Sequence, residues 1–256
     1  MFLNEVHDQL VSSELSKHAA GESGTLNPEW TDRINLIIQA GIADLNKLFA
    51  IRENELLLRT KLGKDIYELT STNAVTSGNP YAFIIDSVES PFRDDIMQIF
   101  RVTDSNGNSL WLNTDVAYQV PNENIYGVRP NYFVHQGINF TAYNTIKLHK
   151  GHDLGDLLVQ YKAKAKPLGL VNDEGDLVDP SQVFIDLPDH FLNALCAYVG
   201  SRFFNPAGAE TIGNGMYHEG QNYAAVYQNE IKSLKDNLGS IASMGETTNF
   251  YRNAWA

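Results

Sequence analysis

The 256 residues carry 31 Asp and Glu against 19 Lys and Arg, a formal net charge of −12, and 43% of them are hydrophobic. That composition suits a globular chain able to bury a sizeable core. It argues against a protein whose task is to grip nucleic acid, since that needs clustered Lys and Arg.

A single cysteine, Cys196, excludes an intramolecular disulfide and any cysteine-based metal cluster. The N-terminus has Glu5 and Asp8 where a signal peptide would be basic and then apolar, and no run of about 18 apolar residues occurs. A reducing cytoplasm is therefore the expected compartment of synthesis. From Phe2 to Ala20, Leu3, Val6, Leu10, Val11 and Leu15 recur at helical spacing, and Gly21 to Gly24 break the pattern. A second helix has a clear start: Asn27 is a cap, Pro28 suits the first turn, and Glu29 complements the helix dipole. Trp30, Ile34, Ile37, Gly41, Leu45 and Leu48, widened by Ile38, Ile42 and Phe49, predict a deeply packed helix to about Arg52. Residues 1–54 thus read as a helical hairpin.

After Glu53 the period changes. Leu56–Thr60 and Asp65–Leu69, either side of the Lys61–Lys64 turn, predict a β-hairpin. Thr70–Pro80 reads as an exposed loop and Ala82–Ile85 as a strand. Ile99–Thr103 and Leu110–Leu112 flank Asp104–Asn108, in which Asn106-Gly107 is a strong hairpin signal. Further strands are expected at Tyr132–His135, Asn144–Leu148 and Leu157–Ala165. In the last, Leu157, Val159, Tyr161, Ala163 and Ala165 share one face and Gln160, Lys162, Lys164 and Lys166 the other. Pro167 ends it, having no N–H for a ladder. Short strands separated by turns predict an antiparallel sandwich or small barrel over residues 55–187.

Val183-Phe184-Ile185 is a short apolar strand, and Leu187-Pro188-Asp189 switches the chain into a helix with Phe191, Leu195, Cys196, Val199 and Phe203 on its apolar side. Asn205–Gly215 interrupts it. A last helix runs from about Met216 to Asn237, with Ala224, Tyr227, Ile231, Leu234 and Leu238 as its stripe and Gly239 as its stop. Residues 188–239 are expected to complete a helical bundle with residues 1–54, so the fold class is α+β with an inserted antiparallel β domain. Residues 240–256 have no period and read as an extended tail, whose Phe250, Tyr251 and Trp255 are candidate interface anchors.

Reactive chemistry is poorly represented. His149, His152 and Asp153 suggest metal ligands, but a closed zinc site needs about four and no further ligand lies at a useful spacing. Asn172–Asp179 is acidic yet lacks the alternating ligands and closing Glu of a calcium loop. Cys196 lies on an apolar helix face, where a buried small hydrophobe is expected rather than a nucleophile. Asp94-Asp95 and Asp173-Glu174 offer paired carboxylates of the kind glycosidases use, though surface charge explains them as well. Lys162, Lys164 and Lys166 suit phosphate or an acidic neighbour.

The layout and several stretches of sequence resemble the head-to-tail adaptor (connector) proteins of tailed bacteriophages, particularly short-tailed ones. The stretches are TLNPEWTDRINLIIQAGIADLNKLF in the first helices, DIYELT, TIKLHKGHDLGDLLVQYKAKAKPL, and FIDLPDHFLNALCAYVGSRFF before the long helix. The resemblance implies a structural virion protein at the head–tail junction, assembled in the bacterial host cytoplasm. It implies a ring, commonly twelvefold, whose partners are the portal protein, a tail or nozzle protein and neighbouring copies. Genomic DNA would pass through the ring without specific binding, which a negative channel suits. In that family the C-terminal segment often docks on the portal, which makes Phe250, Tyr251 and Trp255 the portal-docking candidates. No catalytic residue, cofactor or metal is implied, and nothing here supports the peptidoglycan cleavage that some adaptors perform. The alternatives are a tail-tube or tail-completion protein and, further off, a carbohydrate-active hydrolase working through Asp94 or Asp173.

Overall fold

The computed structural model of the chain describes residues 1–18, 20–21, 24–110, 138–148, 154–172, 174–204 and 214–245. Its elements are α1 (Leu3–Ser12), α2 (Pro28–Leu48), β1 (Glu53–Arg59), β2 (Ile66–Glu68), β3 (Ile84–Ile85), β4 (Ile96–Thr103), β5 (Ile138–Ala142), β6 (Thr145–Leu148), β7 (Asp156–Ala163), α3 (Leu192–Phe204) and α4 (Asn214–Gly245), with short 3-10 turns between them. The chain divides into a helical unit, Met1–Phe49 with Ala165–Ala256, and a β unit, Ala50–Lys164. None of the described helices is long and apolar enough to cross a membrane.

In the helical unit, α2 begins as its sequence dictates. The Asn27 Oδ1 accepts from the Glu29 N–H at 3.0 Å and Pro28 fills the first turn. It ends at Leu48 rather than Arg52, because Phe49 turns into extended backbone and buries its ring against Phe191, 5.0 Å between centroids. The first helix is shorter than its apolar pattern: the hydroxyls of Ser12 and Ser13 both bond back to the Gln9 carbonyl, competing with the helix ladder, and Leu15 is buried from a turn instead.

The third helix is buried nearly all round, from Ala194 to Ser201 and at Phe203 and Phe204, with α2 and α4 packed against it. Both contacts depend on a missing side chain. A Cβ on Gly41 of α2 would lie 2.7 Å from Leu195 Cδ1 and 2.9 Å from Tyr198 Cδ1. A Cβ on Gly200 of α3 would lie 2.9 Å from Cγ of the Tyr223 ring on α4. The Tyr227 hydroxyl of α4 then donates to Asp44 of α2 at 2.6 Å, with its ring edge-on to Tyr198.

Gly239 does not stop α4, which continues to Gly245. An interior glycine costs only about 1 kcal/mol relative to alanine, too little to end a long helix by itself. The segment 165–187, grouped by its sequence with the strands, bonds within the helical unit. The N–H groups of Leu3 and Asn4 donate to the carbonyls of Val183 and Pro180, and the Ile185 N–H donates to the Met1 carbonyl. Val183, Ile185 and Leu187 are buried, while Phe184 is exposed.

In the β unit, β7 is central to a four-stranded antiparallel sheet ordered β3-β1-β7-β4, and a second antiparallel sheet is ordered β2-β6-β5. The expected β1–β2 hairpin does not form. Leu57 of β1 pairs with Ile85 and Leu158, while Tyr67 of β2 pairs with Ile146. The turn between them redirects the chain, because the buried Tyr67 uses its hydroxyl to accept from the Lys61 N–H at 2.7 Å and to donate to the Lys61 carbonyl. Neither sheet closes into the small barrel that was one sequence expectation. Closure of the larger one would require β3 to pair with β4, and β3 spans two residues. Leu157, Val159, Tyr161 and Ala163 face the core with Leu58, Phe83, Ile96 and Val102. The Asn106-Gly107 turn is present, with Asp104 Oδ1 accepting from the N–H groups of Asn106 and Asn108. Its second arm from residue 111 and the expected strand Tyr132–His135 lie outside the described residues.

One buried pair is expected to make the helical unit's stability depend on pH. The His7 Nε2–H donates to Asn35 Oδ1 at 2.8 Å, joining α1 to α2. Burial lowers the His7 pKa below its ordinary 6.5, against the raising influence of the Asn35 hydrogen bond and the Asp8 charge. Stability from the neutral imidazole is complete above the unfolded value and is lost as pH falls through the lower folded value. Denaturation is expected to show the helical unit weakening as pH drops below about 6.5, and His7→Gln to flatten that slope. Gly41→Ala and Gly200→Ala are each expected to destabilise by about 1–3 kcal/mol in the same measurement. Gly169→Ala, whose Cβ would meet nothing within 4 Å, should stay within about 0.5 kcal/mol of wild type.

Candidate interaction surfaces

The aromatic residues singled out in the tail, Phe250, Tyr251 and Trp255, lie outside the described residues, as do His149, His152 and Asp153. The acidic segment folds as a small hairpin: Val171 bridges Leu177, the Asn172 N–H donates to the Asp176 carbonyl at 2.9 Å, and Gly175 holds φ of 90° at the tip. The Asn172 side-chain oxygen accepts from the N–H groups of Glu174 and Asp176. Its lone pairs thus serve the turn and are not free for a cation. No group of three metal-ligating side chains occurs among the described residues.

The paired carboxylates are structural acceptors. Asp94, with φ of 56°, takes the Ser71 N–H and hydroxyl at 2.6 and 2.5 Å. Asp95 takes the Tyr161 hydroxyl at 2.8 Å and the Asn54 amide at 3.0 Å, and pairs with Arg52 at 3.2 Å. The Lys164 N–H also donates to the Asp95 carbonyl and the Arg52 guanidinium to the Lys164 carbonyl, so this node closes the ends of β1, β4 and β7. Burial, then the hydrogen bond to Asp95, push the Tyr161 hydroxyl far above its ordinary range, which keeps it a donor. Asp173 lies outside the described residues.

The three lysines do not form one basic strip. Burial lowers the Lys162 pKa, Lys164 Nζ donates to the Asp94 carbonyl, and Lys166 pairs with Asp186 at 3.7 Å. Cys196 is buried, and desolvation followed by the Glu14 charge raises its pKa strongly, the opposite of a reactive thiolate.

Two surfaces escape a sequence reading. One is a cleft of about 550 Å³ between the turn after α1, the end of α3 and the first half of α4, lined by Glu14, Lys17, His18, Phe204, Glu219 and Tyr223. Phe204 and Tyr223 stack at 5.7 Å, with His18 edge-on to Phe204. It has an apolar floor and charges of both signs at its rim. The other is the Lys61–Lys64 turn, where Leu62 is 84% exposed and Tyr81 77%. An apolar residue beside a turn glycine was the available signal for the second. The first needed three distant segments to meet.

Removing the Asp95 carboxylate by Asp95→Ala leaves the Arg52 guanidinium with the Lys164 carbonyl but no counter-charge, takes the acceptor from the Tyr161 and Asn54 donors, and is expected to destabilise the β unit by about 2–4 kcal/mol. Ser71→Ala, at an exposed partner of Asp94, should cost less than about 1 kcal/mol. Urea denaturation of both variants checks the contrast.

No curated protein matches the chain. The family model described as SU10 adaptor protein matches residues 9–248, nearly the whole length. The end of α1, all of α2 and α3, the β unit and the long last helix fall inside that match, and the chain belongs to the SU10 adaptor protein family, a family of structural adaptors of bacteriophage virions.

Proposed function

We propose that this chain is the head-to-tail adaptor of a short-tailed bacteriophage, assembled as a ring, of twelve copies in the commonest arrangement, between the portal and the tail or nozzle protein. The family match over residues 9–248 is the observation that carries this reading. A closed ring needs two different surfaces on each copy, one meeting the other on the next. A chain with a helical unit and a β unit offers distinct surfaces for that purpose. Genomic DNA passes through the ring without specific binding. The net charge of −12 supports this, because phosphates are repelled by carboxylates lining their path.

The C-terminal residues dock on the portal, with Phe250, Tyr251 and Trp255 as anchors. They follow α4 directly, a helix of 32 residues and hence about 48 Å long. Aromatic side chains bury large area with few rotors to order, which is why they dominate interface energetics. Bonded structure in place of reactive groups at Asp94, Asp95 and Cys196 agrees with an assembly role.

Electron microscopy of the purified protein with portal is expected to show rings stacked on the portal. A chain truncated after Gly245 should bind portal at least about tenfold more weakly, equivalent to roughly 1.4 kcal/mol. Equal binding by the truncated chain would remove the tail from the docking surface, and absence of rings with portal would remove the ring.

A further inference from the structure

We propose that neighbouring copies join by seating the acidic hairpin of one, residues 170–178, on the Lys61–Lys64 turn of the next. The proposal deepens the ring reading above and rests on it. Lys61 and Lys64 are cations without a carboxylate partner among the described residues. Lys61 Nζ donates to the carbonyls of Tyr81 and Ala82 at 3.2 and 3.1 Å, and Lys64 Nζ lies 3.8 Å from the centre of the Phe83 ring. The acids of the same turn region, Asp65 and Glu68, form no ion pair with either lysine. Desolvation, then the charge of Lys61, lowers the Lys64 pKa, so the pair gains from an anion brought close. Between the two lysines stands Leu62, with Tyr81 beside them, both largely exposed.

The hairpin is the complement of this turn. Val171 and Leu177 face each other across it, 54% and 82% exposed. Glu174 and Asp176 lie between that apolar pair along the chain and are exposed, Asp179 follows it, and no Lys or Arg occurs between Lys166 and Arg202. Both partners are already ordered. The hairpin is held by the Asn172 side chain and the turn by the Tyr67 hydroxyl, so docking requires little loss of conformational freedom. The occupant is a second copy because each chain carries both halves of the complementary pair, the acidic hairpin and the cationic turn. For a chain of net charge −12, approach of another copy is favoured where the surface is locally cationic. The contact is heterologous, turn to hairpin, and so propagates from copy to copy, as the ring proposed above requires.

The test mixes two full-length variants, Leu62→Cys and Leu177→Cys, and treats them with a short bismaleimide; the native Cys196 is buried. A cross-linked dimer is expected in the mixture and not in either variant alone. Adding Lys61→Glu and Lys64→Glu to the Leu62→Cys chain should lower the yield at least about tenfold. Glu174→Lys with Asp176→Lys in the Leu177→Cys chain should restore part of it. A mixture no better than the single variants, or a yield unchanged by charge reversal, overturns the pairing. Native mass spectrometry of wild type, with and without portal, separates the two readings. Oligomers without the 62–177 cross-link overturn this contact alone, and monomers under both conditions overturn the ring as well.

Discussion

The close approach of three helices at Gly41 and Gly200 is the constraint on which the helical unit depends. Each glycine admits an aromatic or branched side chain to within contact of a neighbouring helix backbone, Leu195 and Tyr198 at the first and Tyr223 at the second. Because both glycines act on α3, that helix is held from two sides and becomes buried nearly all round. The polar links add specificity rather than bulk: Tyr227 to Asp44 across α4 and α2, and His7 to Asn35 across α1 and α2. A short core helix fixed in this way gives α4 a firm base, from which its last turns lead toward the C-terminal residues.

The β unit is organised by a different device. Its central strand β7 has neighbours on both sides, and its alternate side chains Leu157, Val159, Tyr161 and Ala163 enter the core. The Asp95 node ties the end of that strand to β1 and β4 through Tyr161, Asn54 and Arg52. A carboxylate with this many donors is committed to the fold. Its neighbour Asp94 is similarly committed to the turn at Ser71. Paired acids that suggest hydrolysis in the linear sequence are here hydrogen-bond acceptors that tie strand ends and a turn together.

For an adaptor, the informative surfaces are those that stay exposed although they are apolar. Leu62, Val171 and Leu177 sit on two small, internally hydrogen-bonded turns, with Tyr81 beside the first; among the described residues the lysines of the first turn have no carboxylate partner, and acids flank the second. With a net charge of −12, a surface of this kind repels most polyanions.

The sequence by itself determined the helix α2 with its Asn27-Pro28 start, the alternation along β7, the switch into α3 after Pro188, the buried Tyr227, Ile231 and Leu234 of the α4 stripe (its Ala224 is exposed) and the burial of Cys196. These are consequences of local periodicity and capping, which act over a few residues. The resemblance to phage adaptors was legible in the same segments. Tertiary structure alone decided that β1 and β2 part into different sheets, that 165–187 bonds to the N-terminal residues, and that α4 passes through Gly239. Each of these outcomes depends on partners more than twenty residues away or on the summed stability of a long helix. The same holds for Asp95 and for the cleft at Phe204 and Tyr223. Their function follows from which distant groups arrive beside them, and a pattern read along the chain has no term for that.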